Sequence, residues 1–99
     1  MATGTIKKTG ISFPNYSRHL KSINTADTSW TATEDCWITG YCNGATNAAA
    51  FVYVDDVICG GCYTPQQTSG LAGVMIPVKK GSVIKTRNYG TYVLEIYGC

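Results

Sequence analysis

Short apolar runs recur about every 8–12 residues along the chain, separated by clusters of Gly, Pro, Asn, Asp and Lys, the spacing of a many-stranded β fold. No window of helical length carries an i, i+3, i+4 apolar stripe with caps. The runs predict strands over Thr3–Thr9, Ser17–Ile23, Trp30–Thr33, Cys36–Cys42, Phe51–Asp55, Val57–Cys59, Leu71–Val78, Ser82–Arg87 and Thr91–Tyr97. Between them lie turn signals: Phe13-Pro14-Asn15-Tyr16, Glu34-Asp35, Asn43-Gly44, Asp55-Asp56, Lys79-Lys80-Gly81 and Asn88-Tyr89-Gly90. Asn43-Gly44 reads as the strongest hairpin dipeptide, because a type I′ turn needs positive φ at both central residues. The nearest exception to the absence of helix, Ala48-Ala49-Ala50, runs straight into Phe51-Val52-Tyr53-Val54, which reads as strand. The expected fold is an all-β, compact antiparallel sandwich or jelly roll of eight to nine strands, residues 1–99 forming one domain.

Several strands are apolar on both faces. In Cys36–Cys42, the even positions Cys36, Ile38 and Cys42 oppose Trp37, Thr39 and Tyr41; in the last strand Tyr92, Leu94 and Ile96 oppose Val93, Glu95 and Tyr97. A monomeric sandwich alternates apolar-in and polar-out. Doubly apolar strands therefore point to a second subunit over the outer face, against the plainer reading that Tyr and Trp cover an exposed sheet. A homotrimer is expected, with Tyr53, Tyr92 and Tyr97 as candidate interface residues.

Composition sharpens the β reading. Fifteen Ile and Val and thirteen Thr stand against three Leu, and β-branched side chains suit pleated surfaces better than helices. With 44% hydrophobic and 14% charged residues, the chain is no disordered segment. A net charge of +2 argues against nucleic acid or an anionic membrane as partner. No stretch approaches the ~20 apolar residues of a membrane span, so no membrane insertion is expected. Met1–Leu20 lacks the apolar segment of a signal peptide, which implies either synthesis in the cytoplasm or a domain excised from a longer protein whose targeting lies elsewhere.

The order Phe13-Pro14-Asn15-Tyr16-Ser17, Trp30-Thr31-Ala32-Thr33-Glu34-Asp35-Cys36-Trp37-Ile38-Thr39-Gly40, Val52-Tyr53-Val54-Asp55-Asp56-Val57 and Ile76-Pro77-Val78-Lys79-Lys80-Gly81-Ser82-Val83-Ile84 resembles the small C-terminal head modules of phage and prophage tail or appendage proteins. The fold of those modules is similar to the trimeric jelly roll of tumour necrosis factor and the complement globular head. The resemblance spans nearly the whole chain as strand-and-turn patterning, without catalytic residues. It departs at Cys36, where those modules usually carry Gly, and at Asp56, where Asp replaces a hairpin Gly and points to a turn of another type. It implies a non-enzymatic head on a virion or prophage-derived particle that attaches to a cell-surface glycan or protein. A purely structural trimerisation or capping module is the alternative.

Rigid sandwiches carry recognition on their loops. The polar stretch from Tyr63 to Gly70 offers an aromatic face and hydrogen-bonding groups, making Tyr63, Gln66, Gln67, Thr68 and Ser69 candidate binding residues; the plainer reading is a solvated connection. Other chemistry is thinner. Five cysteines, Cys36, Cys42, Cys59, Cys62 and Cys99, raise zinc and redox readings. Cys36 and Cys42 would lie ~20 Å apart along an extended strand, and no helix follows Cys59-Gly60-Gly61-Cys62 to activate a thiol. No metal or other cofactor is expected, and reduced cysteines are preferred to a small zinc- or thiol-dependent protein. His19, the lone histidine, has no partner fixed by sequence, with Asp27, Asp35, Asp55 and Glu95 as possibilities. Glu95 stands on an otherwise apolar face, either paired with a cation across an interface or solvated at an edge.

Overall fold

A computed structural model describes residues 12–44, 48–64 and 70–99. The strand expected at Thr3–Thr9 lies outside them. The described residues form eight strands: β1 (His19–Ile23), β2 (Ser29–Thr31), β3 (Cys36–Gly44), β4 (Ala48–Val54), β5 (Val57–Thr64), β6 (Gly70–Val78), β7 (Val83–Thr86) and β8 (Thr91–Gly98). Among the described residues there is no helix, hence none long and apolar enough to cross a membrane.

The strands make two four-stranded antiparallel sheets, ordered β1-β8-β3-β6 and β2-β7-β4-β5. Pairing nests around one hairpin: β4 pairs β5, β3 pairs β6, β2 pairs β7 and β1 pairs β8. This is a long antiparallel ribbon folded over itself, the jelly-roll topology. The β3–β8 and β4–β7 ladders close the two sheets.

Alternation decides what lies between the sheets. Cys36, Ile38 and Cys42 of β3, Val74, Ile76 and Val78 of β6, and Tyr92, Leu94 and Ile96 of β8 are buried from one side. Ala50 and Val52 of β4 and Ile84 of β7 meet them from the other. Tyr92 is the largest fully buried side chain, and its hydroxyl solves its own burial by crossing the sandwich. It accepts from the Phe51 amide at 3.1 Å and donates to the Tyr89 carbonyl at 2.8 Å, joining β8 to β4. A buried hydroxyl without such partners would cost roughly 1–3 kcal/mol. Gly40, with φ of 120°, lets β8 approach β3 closely: a Cβ there would collide with the carbonyl oxygen of Val93.

The turns depart from expectation in an instructive way. Among the described residues only Asp55-Asp56 closes a hairpin between consecutive, paired strands. Its φ values of 51° and 65° give it the signs of the type I′ turn, correcting the expectation of another turn type. The Asp55 carboxylate accepts from the Val83 amide, which also holds its pKa below the ordinary Asp value, and this fixes the tip against β7. Asn43-Gly44 is no turn: both residues lie in β3, opposite Leu71 and Gly70. A two-residue hairpin joins neighbours in one sheet, whereas β3 and β4 belong to different sheets. For the same reason Lys79-Lys80-Gly81 and Asn88-Tyr89-Gly90 are crossings between sheets rather than hairpins. Pro77 sits on β6, an edge strand, where its missing N–H breaks no central ladder.

Asp56 occupies left-handed backbone with only a solvent-exposed contact to Lys85 at 3.1 Å to offset it. Asp56→Gly is expected to raise unfolding stability by about 0.5–1 kcal/mol, since Gly adopts this geometry without Cβ strain and an exposed ion pair is worth little. Chemical denaturation should show a higher midpoint at unchanged slope; a lower midpoint would refute the assignment of strain to Asp56.

Candidate functional site

The outward positions of β1-β8-β3-β6 line up in rows fixed by strand register. The first row runs His19, Tyr97, Trp37 and Pro77. Beneath it run Ser22, Glu95, Thr39 and Met75, then Val93, Tyr41 and Gly73. Tyr16, in the turn before β1, sets its ring edge-on to Tyr97 at 5.1 Å, and the His19 ring does the same at 5.4 Å. Trp37 donates its indole N–H to the Ser12 carbonyl at 2.6 Å. The face remains open toward β6, where Met75 is 53% and Tyr41 39% exposed and Pro77 is exposed.

A bulge in β1 builds the polar centre of this face. Residues 19 and 22 would lie on opposite faces of a regular strand. The register shift between His19 and Lys21 inserts one residue, so that His19 opposes Tyr97 while Ser22 opposes Glu95, both outward. Glu95 Oε1 then accepts from Ser22 Oγ at 2.5 Å and from His19 Nε2 at 2.7 Å. Ser22 Oγ also stands 3.1 Å from His19 Nε2. The Ser22 hydroxyl bond, then burial acting against it, then His19 govern the carboxyl, which is held below the ordinary Glu value.

This is not a nucleophilic relay. In such a relay the imidazole contacts the acid through one nitrogen and takes the serine proton on the other. Here a single nitrogen, Nε2, faces both groups, and the serine proton is committed to the carboxylate. The cluster is a hydrogen-bonded clamp between β1 and β8, and it supplies His19 with the partner that the sequence left open among four acids.

The expected interface tyrosines do not share a surface. Tyr92 is 1% exposed in the sandwich interior, which removes it from the interface candidates. It lies five residues from Tyr97 on one strand, and an odd separation places two residues on opposite faces. Tyr53 lies on the outer face of the other sheet, its ring near Phe51 at 6.3 Å. Tyr97 alone belongs to the β1-β8-β3-β6 face. Trp37, Tyr41, Met75 and Val93 share that outer face with Tyr97, and their odd numbering on strands with an even-numbered core is the signal for it in the sequence.

Of the expected binding loop, Tyr63 lies in β5 opposite Ala49, and Gln66, Gln67, Thr68 and Ser69 lie outside the described residues. Cys36 and Cys42 are buried along β3, while Cys59 is exposed on β5 at the bulge opposite Val52 and Tyr53. Burial, reinforced by Cys99, Asp35 and Glu34, pushes the Cys36 thiol up to about 11. Among the described residues no three His, Cys, Asp or Glu side chains gather to hold a metal. Comparison with known proteins finds no matching family model, no matching curated protein and no matching solved structure.

Two measurements check this geometry. Because the folded Glu95 carboxyl is more acidic than in the unfolded chain, its stabilising contribution is complete above pH 4.5 and is lost as pH falls through the folded value. Ser22→Ala should move the Glu95 carboxyl titration, followed by NMR, toward 4.5 and flatten that acid loss; an unmoved titration would show that the hydroxyl does not govern it. A thiol reagent at neutral pH should modify Cys59 in the native protein and reach Cys36 and Cys42 only after denaturation, because burial blocks access to both and raises the pKa of Cys36. Modification of Cys36 at the rate of Cys59 would contradict the buried β3 face.

Proposed function

We propose that this chain is a non-enzymatic jelly-roll head that assembles as a homotrimer and serves attachment of a phage- or prophage-type appendage to a cell-surface glycan or protein. The observation that carries the assembly reading is the set of outward Trp37, Tyr41, Val93, Met75, Pro77 and Tyr97 on one sheet face, spread over three register rows around the polar Glu95 cluster. So many outward apolar residues on one face are uncommon on a monomer of this size and common at interfaces, where aromatic residues and Met are enriched. A second apolar site supports a ring over a two-fold dimer. Val57 and Ile58, 61% and 54% exposed, lie on β5, the edge strand of the other sheet. Two dissimilar patches on different sides of one chain suit a head-to-tail contact, which closes by rotation.

Attachment is the functional half of the proposal and follows the motif resemblance. Three copies on one particle would convert weak single sites into firm attachment, with avidity gains of ~10²–10⁴. A capping module without a ligand would share the same assembly and differ in failing to bind host cells.

Sedimentation equilibrium at micromolar concentration should give three times the 10.6 kDa chain mass. The melting temperature should rise with protein concentration, because association stabilises the folded state by mass action. Tyr41→Glu or Met75→Glu should weaken association about 30-fold or more, the loss expected from a ~2 kcal/mol interface anchor. A stable monomer whose Tyr41 and Met75 variants sediment unchanged would overturn the assembly reading, and an intact trimer that fails to attach to host cells would overturn the attachment reading.

A further inference from the structure

Arg87 is held in place by groups that leave its hydrogen-bond donors free. It follows β7, on the side of the sandwich opposite the Trp37–Met75 face. Its amide donates to the Phe51 carbonyl at 3.1 Å, and its carbonyl accepts from the Asp27 amide at 3.0 Å, so the backbone is fixed on both sides. The guanidinium carbon lies 5.5 Å from the centre of the Phe51 ring and 5.9 Å from that of Tyr89. Phe51 is itself seated closely: a Cβ on Gly61, its partner across the ladder, would come within 2.6 Å of its ring. Aromatic faces hold a guanidinium through its π surface and leave its in-plane N–H groups available.

The other cations near acids are already matched. Arg18 pairs with Glu34 and donates to the Cys99 carbonyl, and Lys85 pairs with Asp56. Among the described residues the Arg87 guanidinium has no acid and no hydrogen-bond acceptor. It is half-buried, with exposed Asn88 beside it and the Tyr89 ring 53% exposed. A pre-positioned fork of donors loses little entropy on meeting a planar anion, and the match with a carboxylate is bidentate. One uncompensated charge beside the Asp56–Lys85 pair suits a ligand with one anionic group per unit and gives a phosphodiester chain little to hold. An exposed ring and a side-chain amide suit the C–H face and hydroxyls of a pyranose.

The geometry points to a binding site for a carboxylate-bearing sugar, with Arg87 gripping the carboxylate, Tyr89 stacking on the ring and Asn88 bonding a hydroxyl. This rests on the attachment reading above and narrows its receptor to an acidic glycan. It uses neither the Trp37–Met75 face nor Val57 and Ile58 of β5, so both roles fit one particle.

Calorimetric titration of the full chain with a glucuronic acid oligosaccharide tests the site, with the neutral glucose oligomer and inorganic phosphate as comparison probes. The acidic oligomer should bind at least tenfold more tightly than either. Arg87→Gln should cost at least tenfold, and Arg87→Lys, which keeps the charge but loses the planar fork, several-fold. Tyr89→Ala should also cost several-fold, whereas Lys85→Gln should change affinity less than twofold. Unfolding midpoints keep these losses separate from misfolding; if Arg87→Gln unfolds, Arg87→Lys and Tyr89→Ala carry the test. Equal binding of the neutral oligomer, equal binding of phosphate, unchanged affinity in the Arg87 variants, or an equal loss in Lys85→Gln would each overturn the proposal. Host attachment by the same Arg87 variants separates the two readings: full attachment without acidic-sugar binding sinks this site and spares the attachment function.

Discussion

One constraint organises the molecule: the sandwich has a single interior, and strands with a period of two fill it from alternate residues. The even positions of β3, β6 and β8, joined by Ala50, Val52 and Ile84, occupy that interior. Once they do, Trp37, Tyr41, Met75, Val93 and Tyr97 have nowhere to lie but outside. A chain of 99 residues buries only about 60–70% of its unfolded surface, and the described residues supply no further sheet to cover them. The outer aromatic face is thus a consequence of the core. Tyr92 shows the same rule from within, its ring counted among core side chains and its hydroxyl satisfied by the Phe51 amide of the opposite sheet and the Tyr89 carbonyl before its own strand.

The existence of the strands was legible because β-branched alternation and turn residues are local signals. Their assignment to sheets was not. Lys79-Lys80-Gly81 and Asn88-Tyr89-Gly90 reverse the chain whether the flanking strands pair or cross to the other layer, and a turn signal does not separate the two. Asn43-Gly44 shows the limit most clearly. Its two residues favour a tight hairpin, yet β6 and β8 flank β3 on both sides, and Asn43 takes its place in both ladders. Long-range pairing overrode the local preference. The Asp55-Asp56 turn is the opposite case, for β4 and β5 are true neighbours and the hairpin geometry prevailed over the cost of positive φ in two aspartates.

The candidate surfaces were legible in kind and less so in membership. Doubly apolar strands announced an uncovered face, and parity alone separates Tyr92 from Tyr97. Parity could not relate Tyr53 to either, because that requires knowing that β4 and β8 lie in different sheets. The clamp of His19, Ser22 and Glu95 depends on a bulge and on a contact between residues 76 apart, neither of which leaves a local mark. In the sequence Arg87 is marked only as the end of a strand. Its importance comes from what surrounds it, two rings from separate segments and no acid.

The two outer faces follow different physical rules. On β1-β8-β3-β6 the polar groups bond one another: Ser22 and His19 spend their hydrogen bonds on Glu95, and the Thr39 hydroxyl on the Glu95 carbonyl. Polar groups that already bond one another lose less on being covered than unpaired ones do, which favours this face over the opposite one for desolvation by a partner. On the opposite side the guanidinium of Arg87 has rings beneath it and donors left over. Covering that group with an apolar surface would strand a charge, so it favours either water or a ligand that brings an anion. Hydrogen-bond saturation, more than hydrophobicity alone, distinguishes the face suited to another copy of the chain from the face suited to something else.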